Sequence, residues 1–310
     1  MSEVYDVVIV GGGPAGLTAG IYTARDRLKS VLLEKAMCGG LPASTEKVEN
    51  YPGFPEGVGG QELMNRMKRQ AENFGLEIRE FSEVKSLESK GGVFEVVTDR
   101  GSIVSKTVIV ASGSVPKKLG VPGEEKFFGK GVSYCATCDG PFYKDKDVAV
   151  IGCGNSGLQE GEALLKFVKS ITFVEFLPYM KAEKILQERI KKHDNVVFYL
   201  NHELKSINGG DYVESITVKD RDSGEEKEIH VEGVFVYIGF LPNSSFVRGL
   251  VELDEWGYVM TDENMRTSVE GIWAVGDVRS KKYRQIVEAC GEGVIAAMSI
   301  SEYLKEKGAT

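Results

Sequence analysis

Residues 7–16 read VVIVGGGPAG: four β-branched residues followed by a glycine-rich turn. A short apolar run of this kind is typical of a buried parallel strand, and the pattern from Leu17 to about Asp26 is helical. In a G-x-G-x-x-G turn the glycines permit a tight bend and let the backbone approach a pyrophosphate at the start of the helix. The stretch therefore predicts a Rossmann-like unit and an α/β fold.

The same pattern occurs a second time at residues 148–157, which read VAVIGCGNSG and precede a helix expected to run through Phe167. With an offset of 141 residues (152 minus 11), the two copies align without a gap, and Glu34 aligns with Glu175. An acid at the end of the second strand accepts hydrogen bonds from ribose hydroxyls. Two dinucleotide sites are predicted. The alternative for the second copy is a unit that keeps the fold without the ligand.

Two further β-rich stretches each end where glycine and proline occur together, at Gly113–Pro116 and at Gly239–Pro242. Such segments are candidate crossings between domains, and two crossings at one boundary make a natural hinge. We therefore expect two Rossmann-like domains, the second inserted into the first. The first domain comprises residues 1–115 and 244–310, and the inserted domain comprises residues 116–243.

Composition excludes several classes of function. The chain has 310 residues, of which 42% are hydrophobic and 27% charged, and its net charge of -8 disfavours binding to nucleic acid or to an anionic membrane. No apolar stretch approaches the roughly 20 residues of a membrane span, and the acidic start Met1–Asp6 does not resemble a signal peptide. We expect a cytoplasmic protein without nucleic-acid or membrane partners.

A C-x-x-C pair, Cys135 and Cys138, lies ten residues before the second glycine-rich copy. On one helical turn such a pair can cycle between disulfide and dithiol, and a helix start can stabilise the first thiolate. The alternatives are a structural disulfide or half of a zinc site, which would need further cysteines or histidines at ligand spacing. No zinc ligands occur at that spacing, because the three remaining cysteines are isolated: Cys38, Cys153 and Cys290. We expect these three cysteines to be packed apolar groups.

Asp139 directly follows the second cysteine of this pair. A carboxyl group beside a thiolate can serve as the proton donor and acceptor that dithiol chemistry requires. The alternative is an aspartate that caps a helix or stabilises the turn before Gly140 and Pro141.

Together these motifs resemble the low-molecular-weight thioredoxin reductases, which are FAD-dependent pyridine nucleotide-disulfide oxidoreductases, over essentially the whole chain. The resemblance implies an enzyme that passes electrons through FAD and the Cys135/Cys138 dithiol to a thioredoxin-like or glutaredoxin-like protein. It also implies that the inserted domain rotates during turnover, and we expect a homodimer. The motifs that carry it are residues 11–16 (GGGPAG), 48–54 (VENYPGF), 135–139 (CATCD), 271–278 (GIWAVGDV) and the pair Arg284-Gln285.

The resemblance also implies roles for individual residues. Cys138 would face the flavin, Cys135 would attack the partner's disulfide, and Asp139 would exchange protons. The residues implied for FAD are Gly11, Gly13, Pro14, Ala15, Gly16, Glu34, Lys35, Gly40, Asn50, Ser112, Gly113, Gly276, Asp277, Arg284, Gln285 and Ile286. Those implied for a nicotinamide nucleotide are Gly152, Gly154, Asn155, Ser156 and Glu175.

The chain departs from the family pattern after the strand that ends at Glu175. Members that use NADPH carry arginines there for the 2'-phosphate, whereas residues 174–181 read VEFLPYMK. Each missing charge-assisted contact costs roughly 1.5 to 3 kcal/mol, and the Glu175 carboxylate would repel a phosphate. We therefore expect NADH rather than NADPH as the donor. The alternatives left open are reduced ferredoxin with a vestigial second site, a flavin-dependent dithiol oxidase, and a flavin-bound redox sensor.

Overall fold

The computed structural model describes residues 4–308. Residues 1–3 and 309–310 lie outside the described residues. The first three belong to the acidic start that does not resemble a signal peptide. The chain divides into two compact units, of which unit 1 comprises residues 1–115 and 241–310 and unit 2 comprises residues 116–240. The second boundary lies between residues 240 and 241 rather than between 243 and 244, and the Asn243 N–H donates to the Gly113 carbonyl of unit 1 at 3.0 Å.

Helices and strands alternate around each glycine-rich loop, and runs of consecutive strands make up most of the remaining chain. The helices are α1 (Pro14–Arg25), α2 (Gly60–Asn73), α3 (Ala136–Asp139), α4 (Asn155–Leu164), α5 (Lys184–Ile190) and α6 (Ile286–Glu306). The strands are β1 (Val4–Val10), β2 (Ser30–Leu33), β3 (Glu77–Arg79), β4 (Val84–Lys90), β5 (Val93–Thr98), β6 (Gly101–Val110), β7 (Ser114–Pro116), β8 (Val132–Ser133), β9 (Asp147–Ile151), β10 (Ser170–Glu175), β11 (Val196–Leu200), β12 (His202–Asn208), β13 (Ser215–Asp220), β14 (Glu226–His230), β15 (Gly233–Val236), β16 (Phe240–Pro242) and β17 (Ile272–Ala274).

Unit 1 is built around β1, which pairs in parallel with β2 and with β6. The strand order of its sheet is β3-β2-β1-β6-β5-β4, and β17 also pairs with β6. Because side chains alternate along a strand, Val7 and Ile9 pack in a cluster with residues of α1, α2 and α6, while Val8 and Val10 pack in a second cluster. β1 is therefore buried on both faces, as its continuous apolar run predicts.

Unit 2 repeats this plan around β9, in a parallel sheet of order β11-β10-β9-β15-β8, and adds the antiparallel sheet β12-β13-β14. The expected fold class, two Rossmann-like α/β domains with the second inserted into the first, is confirmed. The helix expected to run through Phe167 ends earlier, at Leu164, because turns occupy residues 165–167.

The two crossings between the units run side by side, since β7 and β16 pair with each other. Next to them the Lys117 N–H donates to the Gly239 carbonyl at 2.9 Å. Within residues 4–308, no helix has the length and apolar character that crossing a membrane requires.

Candidate active site

The first glycine-rich loop is tightly packed at two positions and open at a third. Gly11 has φ +113°, and a Cβ placed on it would lie 2.3 Å from the Ala111 carbonyl oxygen. A Cβ on Gly16 would lie 1.9 Å from the Gly11 carbonyl oxygen. By contrast, no described atom lies within 4 Å of a Cβ placed on Gly13, which precedes α1. The open position is where a bound pyrophosphate would approach the backbone.

Glu34 is held at the end of β2 by two backbone groups. Its Oε2 accepts the Gly12 N–H at 2.8 Å and its Oε1 accepts the Ala36 N–H at 3.0 Å. Glu34 lines a pocket at the carboxyl ends of β2 and β6, the edge where Rossmann folds bind nucleotides. Expected FAD residues that line the same pocket are Gly11, Lys35 and Ser112.

The remaining residues of the first unit gather around the same loop. Asp277 follows Gly276, whose added Cβ would lie 3.0 Å from the Ala15 Cβ. Burial raises the pKa of Asp277, and the charges of Lys281 and Arg284 oppose that increase. Three other residues expected to bind FAD are Pro14, Gly40 and Gly113. Pro14 lies in the first turn of α1, and a Cβ added to Gly40 would lie 3.3 Å from the Gly13 Cα. Gly113 has φ +66°.

Glu292 was missed from the sequence, although it positions the segment that carries Asp277. Its Oε2 accepts the Gly276 N–H at 2.6 Å, and its Oε1 accepts an Arg279 Nη1 hydrogen at 2.6 Å. Glu292 is 5% exposed, so this buried carboxylate is stabilised by its partners. No local motif marks it, because the contact joins α6 to the segment before it.

The segment before α6 fits a bound cofactor. The Arg284 Nε–H is buried and has no acceptor among the described residues, and its guanidinium lies over the Tyr258 ring at 4.2 Å. The Asn50 Nδ2 donates to the Gln285 Oε1 at 3.0 Å, directly before α6 begins at Ile286. A buried donor without a partner is satisfied when a ligand supplies an acceptor. Together with the open position at Gly13, this donor fits FAD.

The second glycine-rich loop repeats the geometry of the first. The Glu175 Oε2 accepts the Cys153 N–H at 2.7 Å and its Oε1 accepts the Leu177 N–H at 3.0 Å, as the aligned Glu34 does in unit 1. Gly152 has φ +105°, and Gly154 is open, since no described atom lies within 4 Å of its added Cβ. Asn155 exchanges hydrogen bonds with Glu183, and Ser156 lies half-buried in the first turn of α4.

The two loops differ at three aligned positions, and at one of them the cause is visible. At Gly12 an added Cβ would lie 2.6 Å from the Cys38 Sγ, so unit 1 requires glycine there, whereas unit 2 carries Cys153 at the aligned position. Cys38 and Cys153 are buried, as expected, and burial raises the pKa of each to about 12. Cys290 is only partly buried, with its Sγ 3.8 Å from the Tyr51 hydroxyl.

An arginine does reach the end of β10, contrary to what residues 174–181 suggest. The Arg221 Nη1 donates to the Phe176 carbonyl at 3.0 Å and to the Asn201 Oδ1 at 3.2 Å, and its Cζ lies 3.8 Å from the centre of the Phe176 ring. Arg221 follows β13, so it comes from a different sheet of unit 2. Residues 174–181 contain no arginine, but the fold brings one to the Phe176 carbonyl from a distant part of the chain.

Cys135 and Cys138 form a disulfide with each other. Cys135 is the N-cap of α3, and its Sγ accepts the Cys138 N–H at 3.2 Å. Cys138 is exposed and Cys135 is half-buried. A disulfide that is accessible at the start of a helix is arranged for thiol–disulfide exchange rather than for metal binding.

Asp139 is linked to Cys135 through Ser133, which was also missed from the sequence. The Ser133 Oγ accepts the Cys135 N–H at 3.0 Å and donates to the Asp139 Oδ2 at 2.6 Å. Ser133 is 3% exposed, so the link is shielded from water. The carboxylate is thereby held beside the redox pair.

Residues 5–293 match the family described as pyridine nucleotide-disulphide oxidoreductase. The chain belongs to this family. The thioredoxin reductase of Bacillus subtilis (strain 168) is 44% identical to this oxidoreductase over 312 residues, which cover 99% of this chain and 97% of the relative.

Two solved structures are similar over almost the whole oxidoreductase. The thioredoxin reductase of Lactococcus lactis has a TM-score of 0.95 at 39% identity, and that of T. acidophilum has a TM-score of 0.93 at 41% identity. Each alignment covers 97% of this chain and 99% of the other. The resemblance to low-molecular-weight thioredoxin reductases is confirmed. The oxidoreductase is a flavoprotein disulfide reductase, and its redox-active disulfide is Cys135–Cys138.

Proposed function

We propose that this enzyme reduces the disulfide of a thioredoxin-like or glutaredoxin-like protein, with FAD as cofactor and NADH as electron donor. The observation that carries the proposal is the accessible Cys135–Cys138 disulfide, located in the same unit as a complete dinucleotide-type loop. A relative with 44% identity is named thioredoxin reductase, which supports the choice of partner.

Residues of unit 1 would hold the FAD. Backbone N–H groups beside Gly13 would bind the pyrophosphate, the fixed Glu34 carboxylate would accept ribose hydroxyls, and the Arg284 Nε would donate to an acceptor of the cofactor. Asp277, held through Glu292, would bind the ribityl-phosphate region. When bound, FAD supplies a carrier that accepts a hydride equivalent and delivers two electrons to a disulfide.

The dithiol then reduces the partner by two exchange steps. The Cys135 thiolate attacks one sulfur of the partner's disulfide, that S–S bond breaks, and one partner thiol leaves with a proton. Cys138 attacks the Cys135 sulfur, which reforms the disulfide of the enzyme and releases the second partner thiol. Asp139, held by Ser133, supplies and removes the protons that these steps require.

The donor site favours two free ribose hydroxyls. Glu175 is fixed at the end of β10 by the N–H groups of Cys153 and Leu177, in the same geometry as Glu34. A carboxylate in this position accepts hydroxyl hydrogens and repels a 2'-phosphate. Arg221 does not reverse this preference, because its Nη1 hydrogens are bound to Phe176 and Asn201.

Replacing the two open glycines separately distinguishes the two nucleotide sites. Gly13→Ala should fold, because φ is -80° at this residue and its Cβ meets no described atom, but the methyl group would fill the pyrophosphate position. We expect an affinity for FAD about tenfold lower, the effect of losing one charge-assisted hydrogen bond. The measurement is FAD titration into apoprotein, followed by the quenching of flavin fluorescence.

Gly154→Ala is the matched variant, with φ -81° and an equally open Cβ position. It should keep its affinity for FAD and lose about tenfold in affinity for NADH. If Gly13→Ala bound FAD normally, or if both variants lost FAD equally, the assignment of one nucleotide to each loop would be wrong.

The partner is tested by counting thiols. Purified enzyme, NADH and an oxidised thioredoxin should yield two new thioredoxin thiols for each NADH consumed. Oxygen consumption with a small dithiol would indicate a dithiol oxidase instead, and absence of turnover with every donor would indicate a redox sensor. The cytoplasmic location and the homodimer stay predictions.

A further inference from the structure

Tyr237 contacts both the second glycine-rich loop and Ala136, which lies between the two cysteines of the redox-active pair. It directly follows β15, and its N–H donates to the Ile151 carbonyl at 2.8 Å. Its own carbonyl oxygen lies 2.3 Å from where a Cβ of Gly152 would be, which is one reason that this position is glycine. The backbone of Tyr237 is therefore fixed by the strand end that carries the loop.

The side chain of the same residue ends at the start of α3. The Tyr237 hydroxyl accepts the Ala136 N–H at 2.9 Å, whereas the Cys138 N–H donates to the Cys135 Sγ at 3.2 Å. Ala136 is the residue that follows Cys135 and is 1% exposed, so water does not readily replace the phenol as its acceptor. In this turn the Cys138 amide donates to a sulfur, whereas the Ala136 amide donates to Tyr237.

The groups around this contact disfavour a thiolate. Backbone N–H dipoles stabilise a cysteine thiolate, and an acceptor oxygen that binds such an N–H offsets part of their positive potential. Burial and the charge of the largely buried Glu160 raise the pKa of Tyr237, so the phenol stays protonated. Other titratable groups near the pair are Asp139, Tyr143 and Tyr134, whose hydroxyl donates to Glu124.

We propose that the Tyr237 hydroxyl is a positioning group that keeps the Cys135–Cys138 pair strongly reducing, because it neutralises an amide that would otherwise stabilise the Cys135 thiolate. A disulfide whose reduced form is stabilised is a stronger oxidant, so withholding that stabilisation lowers the reduction potential. The inference goes beyond the proposed function, since it depends on neither the donor nor the partner protein.

The test is a redox equilibrium of the holoenzyme with dithiothreitol. In this exchange the disulfide of the enzyme gains two electrons and two protons, while dithiothreitol loses them and closes to its cyclic disulfide. Tyr237→Phe should shift the equilibrium toward the dithiol by roughly tenfold, which corresponds to about 30 mV for a two-electron couple. After anaerobic equilibration and acid quenching, the thiols are alkylated, and the peptide containing Cys135 and Cys138 is weighed by mass spectrometry.

Tyr134→Phe is the matched control. It removes a phenol hydroxyl next to Cys135 in the sequence, but that hydroxyl donates to Glu124 rather than accepting an α3 amide. We expect its equilibrium to match that of the unmodified enzyme. An equal shift in both variants, or no shift in Tyr237→Phe, would overturn the proposal, as would a lower melting temperature with an unchanged equilibrium.

Glu160→Gln provides a second, independent variant if Tyr237→Phe does not fold. It removes the charge beside the phenol while keeping the shape of the side chain, so it should shift the equilibrium in the same direction. The alkylation rate of Cys135 in the reduced enzyme should rise in parallel, because a larger thiolate fraction reacts faster. A shift toward the disulfide in Glu160→Gln would contradict the proposal.

Discussion

We expect Cys135→Ser to abolish thioredoxin reduction and to leave the flavin reducible by NADH. A serine hydroxyl cannot attack a disulfide to form a mixed disulfide, and without its partner Cys138 cannot form the intramolecular disulfide seen here. Thioredoxin turnover should fall to the background of the assay. Bleaching of the flavin absorbance on anaerobic mixing with NADH should persist, because the glycine-rich loops are untouched.

Two controls isolate the effect. Cys138→Ser should abolish turnover as well, since each cysteine is needed to close the disulfide. Cys290→Ser replaces a free, partly buried thiol of unit 1 and should retain turnover. Full thioredoxin turnover in both single variants of the redox pair would show that its assignment is wrong.

We expect NADH to reduce the flavin at least about tenfold more efficiently than NADPH, and the ratio should approach roughly a hundredfold if two charge-assisted contacts are missing. The reason is the Glu175 carboxylate, which two backbone N–H groups fix where the 2'-phosphate would lie. Stopped-flow reduction by each nucleotide, over a range of concentrations, gives the ratio. Equal or faster reduction by NADPH would contradict the prediction, and reduction by neither would favour reduced ferredoxin.

Variants at two residues identify the source of this preference. Glu175→Gln keeps the hydrogen-bonding shape but removes the charge, so the preference for NADH should fall several-fold. Arg221→Gln should leave the preference unchanged, because Nη1 of Arg221 is already engaged by Phe176 and Asn201. If Arg221→Gln selectively impaired NADPH, the arginine would be a phosphate-binding residue.

The fold was predictable because its signals are local. The run of residues 7–16 specifies a buried strand, a tight turn and a helix start within ten consecutive residues, and the second copy repeats the same signals. The pairing of Cys135 with Cys138 is equally local, since the two cysteines are three positions apart along the chain. Such features depend on backbone geometry that neighbouring residues determine.

The residues that the sequence did not reveal act across long separations. Tyr237 reaches Ala136 from the end of β15, and Arg221 reaches Phe176 from the end of β13. Glu292 binds the Gly276 N–H from the middle of α6. None of these contacts has a spacing signature, because each depends on which strand ends and helices the tertiary fold brings together.

The insertion also bears on how such a chain can evolve. The chain leaves unit 1 and returns to it at one place. There the Gly113 carbonyl accepts the Asn243 N–H at 3.0 Å, and the Ser112 Oγ donates to the Asn243 carbonyl at 2.7 Å. Because these hydrogen bonds already join the two ends of unit 1, recombination can exchange the inserted unit 2 without breaking a strand of the unit 1 sheet. The redox-active disulfide, which lies in unit 2, can therefore diversify while the sheet of unit 1 is inherited unchanged.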